Sequence, residues 1–498
     1  MMAAMRSRLL FVGATVLLAG GCAAVPDWPT QPLTATVVPA GRQWSYDLDG
    51  DRRPDYWQQA DATGRITELR FADRTGAPGE TIALDAIDPQ DVPHFLIVLD
   101  GVPFELVDEL HRQGHFRLFY PPSRVISPFP AMTDLALNRL FHAGRSRGYQ
   151  ATYYDRAAGK LVGGTFDYLE ADNSPWLTHV DYRCSWWLDA QAYLNPRALW
   201  AHELRGIQRT FDAVGDAPGR TVAAYSVATA GLGTRGGREA ILTYLHTVDR
   251  LCQQIVYQRR GRVKLTVAAD HGQDLLPHRR VSFTQPLADA GFRRTQRIDG
   301  PRDVVAVSYG LVTYAAFWTD SPAGVAEVLA DHEAVDWAAW RTDADAVEVV
   351  SPAGRGTLRH ADGGWRYDVT GEDPLRLGAI LAALRRTGRI GDGVIPQDAL
   401  FAATVEHDYP DPLRRLWEAF KDLVERPADV IANLADDSCH GSKFFHVMIG
   451  DPASTHGSMG RRNSTTFVMT QRGPLPSVMT SDQVLPALGR TPTTQPGP

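Results

Sequence analysis

Short unbroken apolar runs recur between residues 92 and 270. Phe95-Leu96-Ile97-Val98-Leu99 leads straight into Asp100-Gly101, and Val263 to Ala269 leads into Asp270-His271-Gly272. Thr221 to Val227 is a third run of the same kind. Such runs predict strands buried on both faces, as in a mostly parallel sheet flanked by helices. Between the second and third strands stands a helical stripe: Ile241, Leu242, Leu245, Val248, Leu251, Cys252, Ile255 and Val256. A glycine-rich turn over 231–237 is expected to lead into it. This is a βαβ unit, so its two strands should be parallel. Helices are also predicted from Phe104 to Arg112, over Leu135 to Phe141, and from Leu413 to Leu423.

The pattern changes on either side of this body. Residues 41–90 alternate over short stretches, Tyr56–Gln59 and Ile66–Phe71 among them, and predict a small β module. Residues 277–400 mix strands (Val304–Val307, Thr313–Trp318, Ala346–Val350) with a helix around Ala323–His332, which predicts an α+β lobe. The α/β domain as a whole is expected to span 91–484. A Pro/Thr-rich stretch over 485–498 is expected to be a loose tail.

The N-terminus adds an address. Arg6 and Arg8 precede an apolar run, Leu9 to Leu18, too short for a comfortable membrane span, and Ala19-Gly20-Gly21 leads to Cys22. Residues 1–22 resemble a bacterial lipoprotein signal. That implies lipidation of Cys22, anchoring to a membrane, and a periplasmic or surface-facing place in the cell envelope. Residues 23–40 then read as a tether. Cys184, Cys252 and Cys439 remain in 498 residues. They include no Cys-x-x-Cys pair, so a cysteine zinc site is not expected. Export would permit a Cys184–Cys439 disulfide.

Composition narrows the partners. Net charge is −7, and no basic stripe points to nucleic acid. An acidic loop, Asp47-Leu-Asp49-Gly50-Asp51-Arg-Arg-Pro-Asp55, has carboxylates at positions 1, 3, 5 and 9. It reads either as a structural Ca²⁺ site or as a solvated acidic turn.

Strand ends carry the remaining chemistry. Asp100 follows one buried run, where it either holds a cation or caps the next helix. Thr133 stands at or just before a helix start, where the free backbone N–H groups and the dipole favour an anion such as phosphate, or where Thr133 is simply the N-cap. Trp186-Trp187, Tyr182 and Arg183 either line a pocket or fill a core. Asp100, Thr133, Asp270-His271 and a late His456-Gly457 together form a hard oxygen and nitrogen set suited to Zn²⁺ or Mn²⁺.

In this order, Asp100, Thr133, Asp270-His271-Gly272 and His456-Gly457 resemble the alkaline phosphatase superfamily, nearer its nucleotide pyrophosphatase/phosphodiesterase branch. The similarity spans roughly residues 92–480. It implies hydrolysis of phosphate esters, with Thr133 as nucleophile on an ion held by Asp100, Asp270 and His271. In that family a second ion is held by an Asp and a His four residues apart and by a late histidine, which matches His456. Here Ala230 and Thr234 stand where that Asp and His belong. The resemblance therefore implies one tight ion. It leaves two readings: a one-metal phosphohydrolase or phosphodiesterase, or a degenerate member that binds a ligand or acts as a scaffold without turnover.

Overall fold

The structure, a computed structural model, describes residues 26, 28–39, 41–164, 174–185, 188, 191–342 and 345–489. The signal-like segment with Cys22, the Trp186-Trp187 pair and the last residues of the tail lie outside these. Among the described residues no helix is long and apolar enough to cross a membrane.

The central sheet has six strands: β1 (His94–Leu99), β2 (Ser123–Ile126), β3 (Thr221–Ser226), β4 (Lys264–Ala269), β5 (Thr465–Thr470) and β6 (Val478–Thr480), in the order β3-β1-β4-β5-β2-β6. β3 and β4 both pair parallel with β1, β6 pairs parallel with β2, and β5 runs antiparallel to both its neighbours. The βαβ strands are thus parallel as expected, but β1 is threaded between them. Every residue of β1 and β4 is buried, which is why both read as unbroken apolar runs.

Register does the next piece of positioning. Ser226 and Ala269 both lie opposite Leu99, so residues 100, 227 and 270 leave the sheet at one level. β5 runs the other way, so its N-terminal end, preceded by the 456–464 loop, arrives at that same edge. Ligands in open α/β sheets bind beyond this carboxyl edge.

Helices α1 (Phe104–Arg112), α2 (Thr133–Phe141), α3 (Pro196–Asp212) and α4 (Ala228–Gln258) flank the sheet. α4 differs from the sequence expectation. It begins at Ala228, so the glycines at 231, 233 and 236 lie inside the helix, and only Gly237 leaves helical geometry, at φ +58°. The glycines answer to close packing rather than to a turn: a Cβ at Gly231 would run into the Ala192 carbonyl. Buried Glu203 on α3 accepts the N–H groups of Val227 and Ala228, 3.0 Å each, and so ties down the start of α4.

Two boundaries move. Thr34–Val38, expected within the tether, pairs antiparallel with Gly41–Tyr46 as the edge strand of a five-stranded N-terminal sheet. Trp28 is buried against Tyr46, Tyr56 and Tyr257, and Arg250 donates to the Trp28 and Pro26 carbonyls. Aromatic burial thus orders chain that a Pro/Thr/Ala composition marked as loose. The lobe is a nine-stranded sheet between two apolar layers, and Val430–Leu434, beyond the expected limit at 400, sits inside it between Tyr314–Thr319 and Val335–Arg341. A strand that returns late in the chain cannot be assigned to its sheet by periodicity. Cys184, Cys252 and Cys439 are separate buried thiols, so the Cys184–Cys439 disulfide is not formed.

Candidate metal centre

The carboxyl edge gathers three of the expected ligands. Asp100, Asp270 and His271 are buried, and one donor atom from each lies within 4.8 Å of the others. His271 Nε2 is 3.4 Å from Asp270 Oδ2 and 3.8 Å from Asp100 Oδ1. Thr133 Oγ1 lies 3.2 Å from His271 Nε2 and 3.4 Å from Asp100 Oδ2. A tetrahedron whose corners stand about 2.0–2.1 Å from a zinc ion has edges of about 3.3–3.4 Å. Three of these separations, 3.2 to 3.4 Å, match such an edge, and the 3.8 Å separation of His271 from Asp100 Oδ1 is longer.

Backbone contacts set each donor. His271 Nδ1 sits 2.9 Å from the Gly272 carbonyl, which places the proton on Nδ1 and turns the Nε2 lone pair towards the acids. Asp270 Oδ1 accepts the Gly101 and His271 N–H groups, 2.8 Å each. Asp270 Oδ2 is buried and accepts no hydrogen bond among the described residues. An orphaned buried carboxylate oxygen is what a cation would satisfy. Burial pushes the Asp270 carboxyl up to about 6, against the pull of those two N–H groups, and pushes His271 down to about 4. Both shifts express the cost of these charges without a counter-ion.

Thr133 is the first residue of α2. The N-cap is Met132, no side chain caps the helix, and so Thr133 is not an N-cap. The first-turn N–H groups of α2 therefore share one location with the hydroxyl and the acids. Next to it, Asp134 accepts from Ser174 Oγ at 2.7 Å and Trp176 Nε1 at 2.8 Å, locking the first turn of α2 against the 174–179 segment.

His456 reaches the site but does not join the ligand group. Its ring stacks on His271 with centroids 4.1 Å apart, and its Nδ1 lies 2.9 Å from the Ala131 carbonyl. Burial, then the neighbouring His271, push it down to about 3, so it is a neutral imidazole. Ala230, at the position where the resemblance implies an acidic ligand, is buried within α4. The Thr234 carbonyl accepts from the Ala453 N–H at 2.8 Å, which joins α4 to the 451–456 loop.

Sequence reasoning missed several side chains. Tyr225 donates a short hydrogen bond to Asp100 Oδ2. Gln273 lies beside His271 with its amide buried. A tyrosine standing alone near the end of the Val-Ala-Ala run of β3 was the one available signal; Gln273 and Asp134 gave none. In the acidic loop, Asp47, Asp49 and Asp55 converge, but Asp51 does not join them. Asp47 accepts from the Gly50 and Arg52 N–H groups, and Asp55 from Leu48, so loop backbone already engages these oxygens.

Neither a family model nor a curated protein matches the chain. Among solved structures, phosphonoacetate hydrolase from Sinorhizobium meliloti, in complex with phosphonoacetate, matches at 12% identity and a TM-score of 0.42, covering 80% of this chain and 92% of that one. Human ectonucleotide pyrophosphatase/phosphodiesterase 5 matches at 11% identity and a TM-score of 0.43, covering 82% and 97%. The murine protein matches at 12% identity and a TM-score of 0.41, covering 81% and 97%. At these scores the matches assign no role to any residue here.

Proposed function

We propose that this protein is a metal-dependent phosphoric ester hydrolase, of phosphodiesterase or phosphatase type, with Thr133 as nucleophile. The observation that carries this reading is the Thr133 hydroxyl lying 3.2 Å from His271 Nε2, beside a buried Asp100/Asp270/His271 group and at the uncapped N-terminus of α2. A Zn²⁺ or Mn²⁺ ion held by Asp100, Asp270 and His271 would lower the pKa of the hydroxyl and polarise a phosphoryl oxygen.

The chain's own groups supply the rest. The first-turn N–H groups of α2 orient the phosphoryl oxygens. Thr133 Oγ1 attacks phosphorus in line with the leaving oxygen; the Oγ1–P bond forms, the ester P–O bond breaks, and the Thr133 proton leaves with the alcohol by way of water. Water then cleaves the phospho-threonine and restores the hydroxyl. Tyr225 donates to Asp100 Oδ2 and holds that carboxylate in place.

The test uses bis(4-nitrophenyl) phosphate and 4-nitrophenyl phosphate with added zinc or manganese. Wild type should hydrolyse at least one of them, and Thr133→Ala should lower kcat/KM by about a thousandfold or more. Equal inertness of wild type and Thr133→Ala across esters and metals would overturn the reading.

One observation favours a second reading. Ala230 offers no ligand atom and Thr234 only a neutral hydroxyl, so a non-catalytic ligand-binding or scaffold role stands as the alternative. Ala230→Asp combined with Thr234→His should raise metal content from one to two ions per chain by elemental analysis. If hydrolysis appears only in that double variant, the wild type is the binding form. Export, lipidation at Cys22 and placement in the cell envelope belong to the same proposal and rest on the N-terminal sequence. A structural Ca²⁺ at Asp47, Asp49 and Asp55 rests on their convergence.

A further inference from the structure

Gln273 is 1% exposed, and neither its Nε2 nor its Oε1 has a hydrogen-bond partner among the described residues. Leaving both ends of a buried amide unpaired costs free energy that a methionine of the same length would not incur. The amide lies in a slot between two glycines. A Cβ on Gly101 would come within 2.6 Å of Gln273 Nε2 and 3.2 Å of His271 Cε1. A Cβ on Gly233 would run into Gln273 Oε1. Gly101 directly follows Asp100, and its N–H is bonded to Asp270. Gly233 shares a helix face with Ala230 and Thr234, at i+3 beside i and i+4. The amide therefore bridges the Asp100/Asp270/His271 group and the face of α4 that lacks the second pair of ligands.

Resting on the hydrolase reading, we infer that Gln273 is a substrate-contacting residue: its Nε2–H donates to a phosphoryl oxygen bound beside the Asp100/Asp270/His271 group, on the side towards Ala230 and Thr234 of α4. The donor is neutral and fixed in place by its slot, as a group that stabilises developing charge must be. Gln273 transfers no proton and forms no bond to phosphorus.

The experiment compares full-length wild type, Gln273→Met, Gln273→Leu and Thr133→Ala, all zinc-loaded. Three quantities are read: zinc per chain, inorganic phosphate affinity by calorimetry, and kcat and KM on bis(4-nitrophenyl) phosphate. Gln273→Met should keep its zinc, melt no lower than wild type, bind phosphate about tenfold more weakly, and lose about ten- to a hundredfold in kcat with KM within about threefold. Gln273→Leu serves in its place if the methionine variant does not fold. Phosphate binding and turnover within about twofold of wild type would overturn the inference. Loss of zinc from the variant would overturn it too, since Gln273 would then be supporting the ion rather than the substrate. If wild type and Thr133→Ala are equally inert, the hydrolase reading falls and takes this inference with it; an active wild type matched by Gln273→Met overturns the inference alone.

Discussion

At the residue scale, the candidate centre gathers buried donor atoms around one point. Asp270 Oδ2 and the Nε2 lone pair of His271 face one point, and backbone groups fix the other end of each side chain. Tyr225 does the same for Asp100. Removing such an outer partner typically weakens a metal site by about ten- to a hundredfold. Tyr225→Phe should therefore raise the zinc Kd by about that much in competition titrations, while circular dichroism stays unchanged. An unchanged Kd would assign Tyr225 to packing alone. Asp100, Thr133, Asp270 and His271 were legible in the sequence because each ends an apolar run or opens a helical one. Tyr225, Asp134 and Gln273 were not, because each acts through a side-chain direction that only the folded chain sets. His456 was legible as a member of the site, but its stacking on His271 instead of joining the ligand set was not.

At the element scale, glycines decide how closely the site's segments approach. The Gly272 N–H donates to the Asn463 carbonyl at 3.0 Å, and a Cβ there would run into the Arg462 carbonyl and come within 2.6 Å of the Thr465 carbonyl. Gly272 thus lets the end of β4 press against the segment leading into β5. Gly272→Ala should push the two apart, cost about 2 kcal/mol or more in urea unfolding, and lower zinc content per folded chain. A variant as stable and as metal-replete as wild type would contradict this packing. The same packing places the start of α4 at Ala228, ahead of the glycines. Gly231 and Gly233 look like turn residues in sequence, but both make room for neighbours, the Ala192 carbonyl and the Gln273 amide, that lie far from them along the chain. The buried strands β1, β3 and β4 and the stripe of α4 were legible because burial on both faces, or on one helical face, leaves a periodic record.

At the scale of the whole molecule, one sheet edge collects chain from residue 100 to residue 464. Five parallel strands and one antiparallel strand make this work. The parallel strands deliver Asp100, Thr133 and Asp270-His271 from their carboxyl ends, while β5 delivers the His456 loop from its amino end. The N-terminal sheet packs on α4 through Trp28, Tyr56 and Tyr257, away from that edge. These distant segments together would surround one ion. Zinc K-edge absorption spectroscopy on the loaded protein, with elemental analysis of wild type and Asp270→Asn, tests this most directly. Wild type should carry one zinc per chain, with a coordination shell of one imidazole nitrogen and oxygens at about 2.0–2.1 Å, and Asp270→Asn should lose that zinc. No tightly bound ion in wild type, or an unchanged zinc signal in Asp270→Asn, would contradict this arrangement.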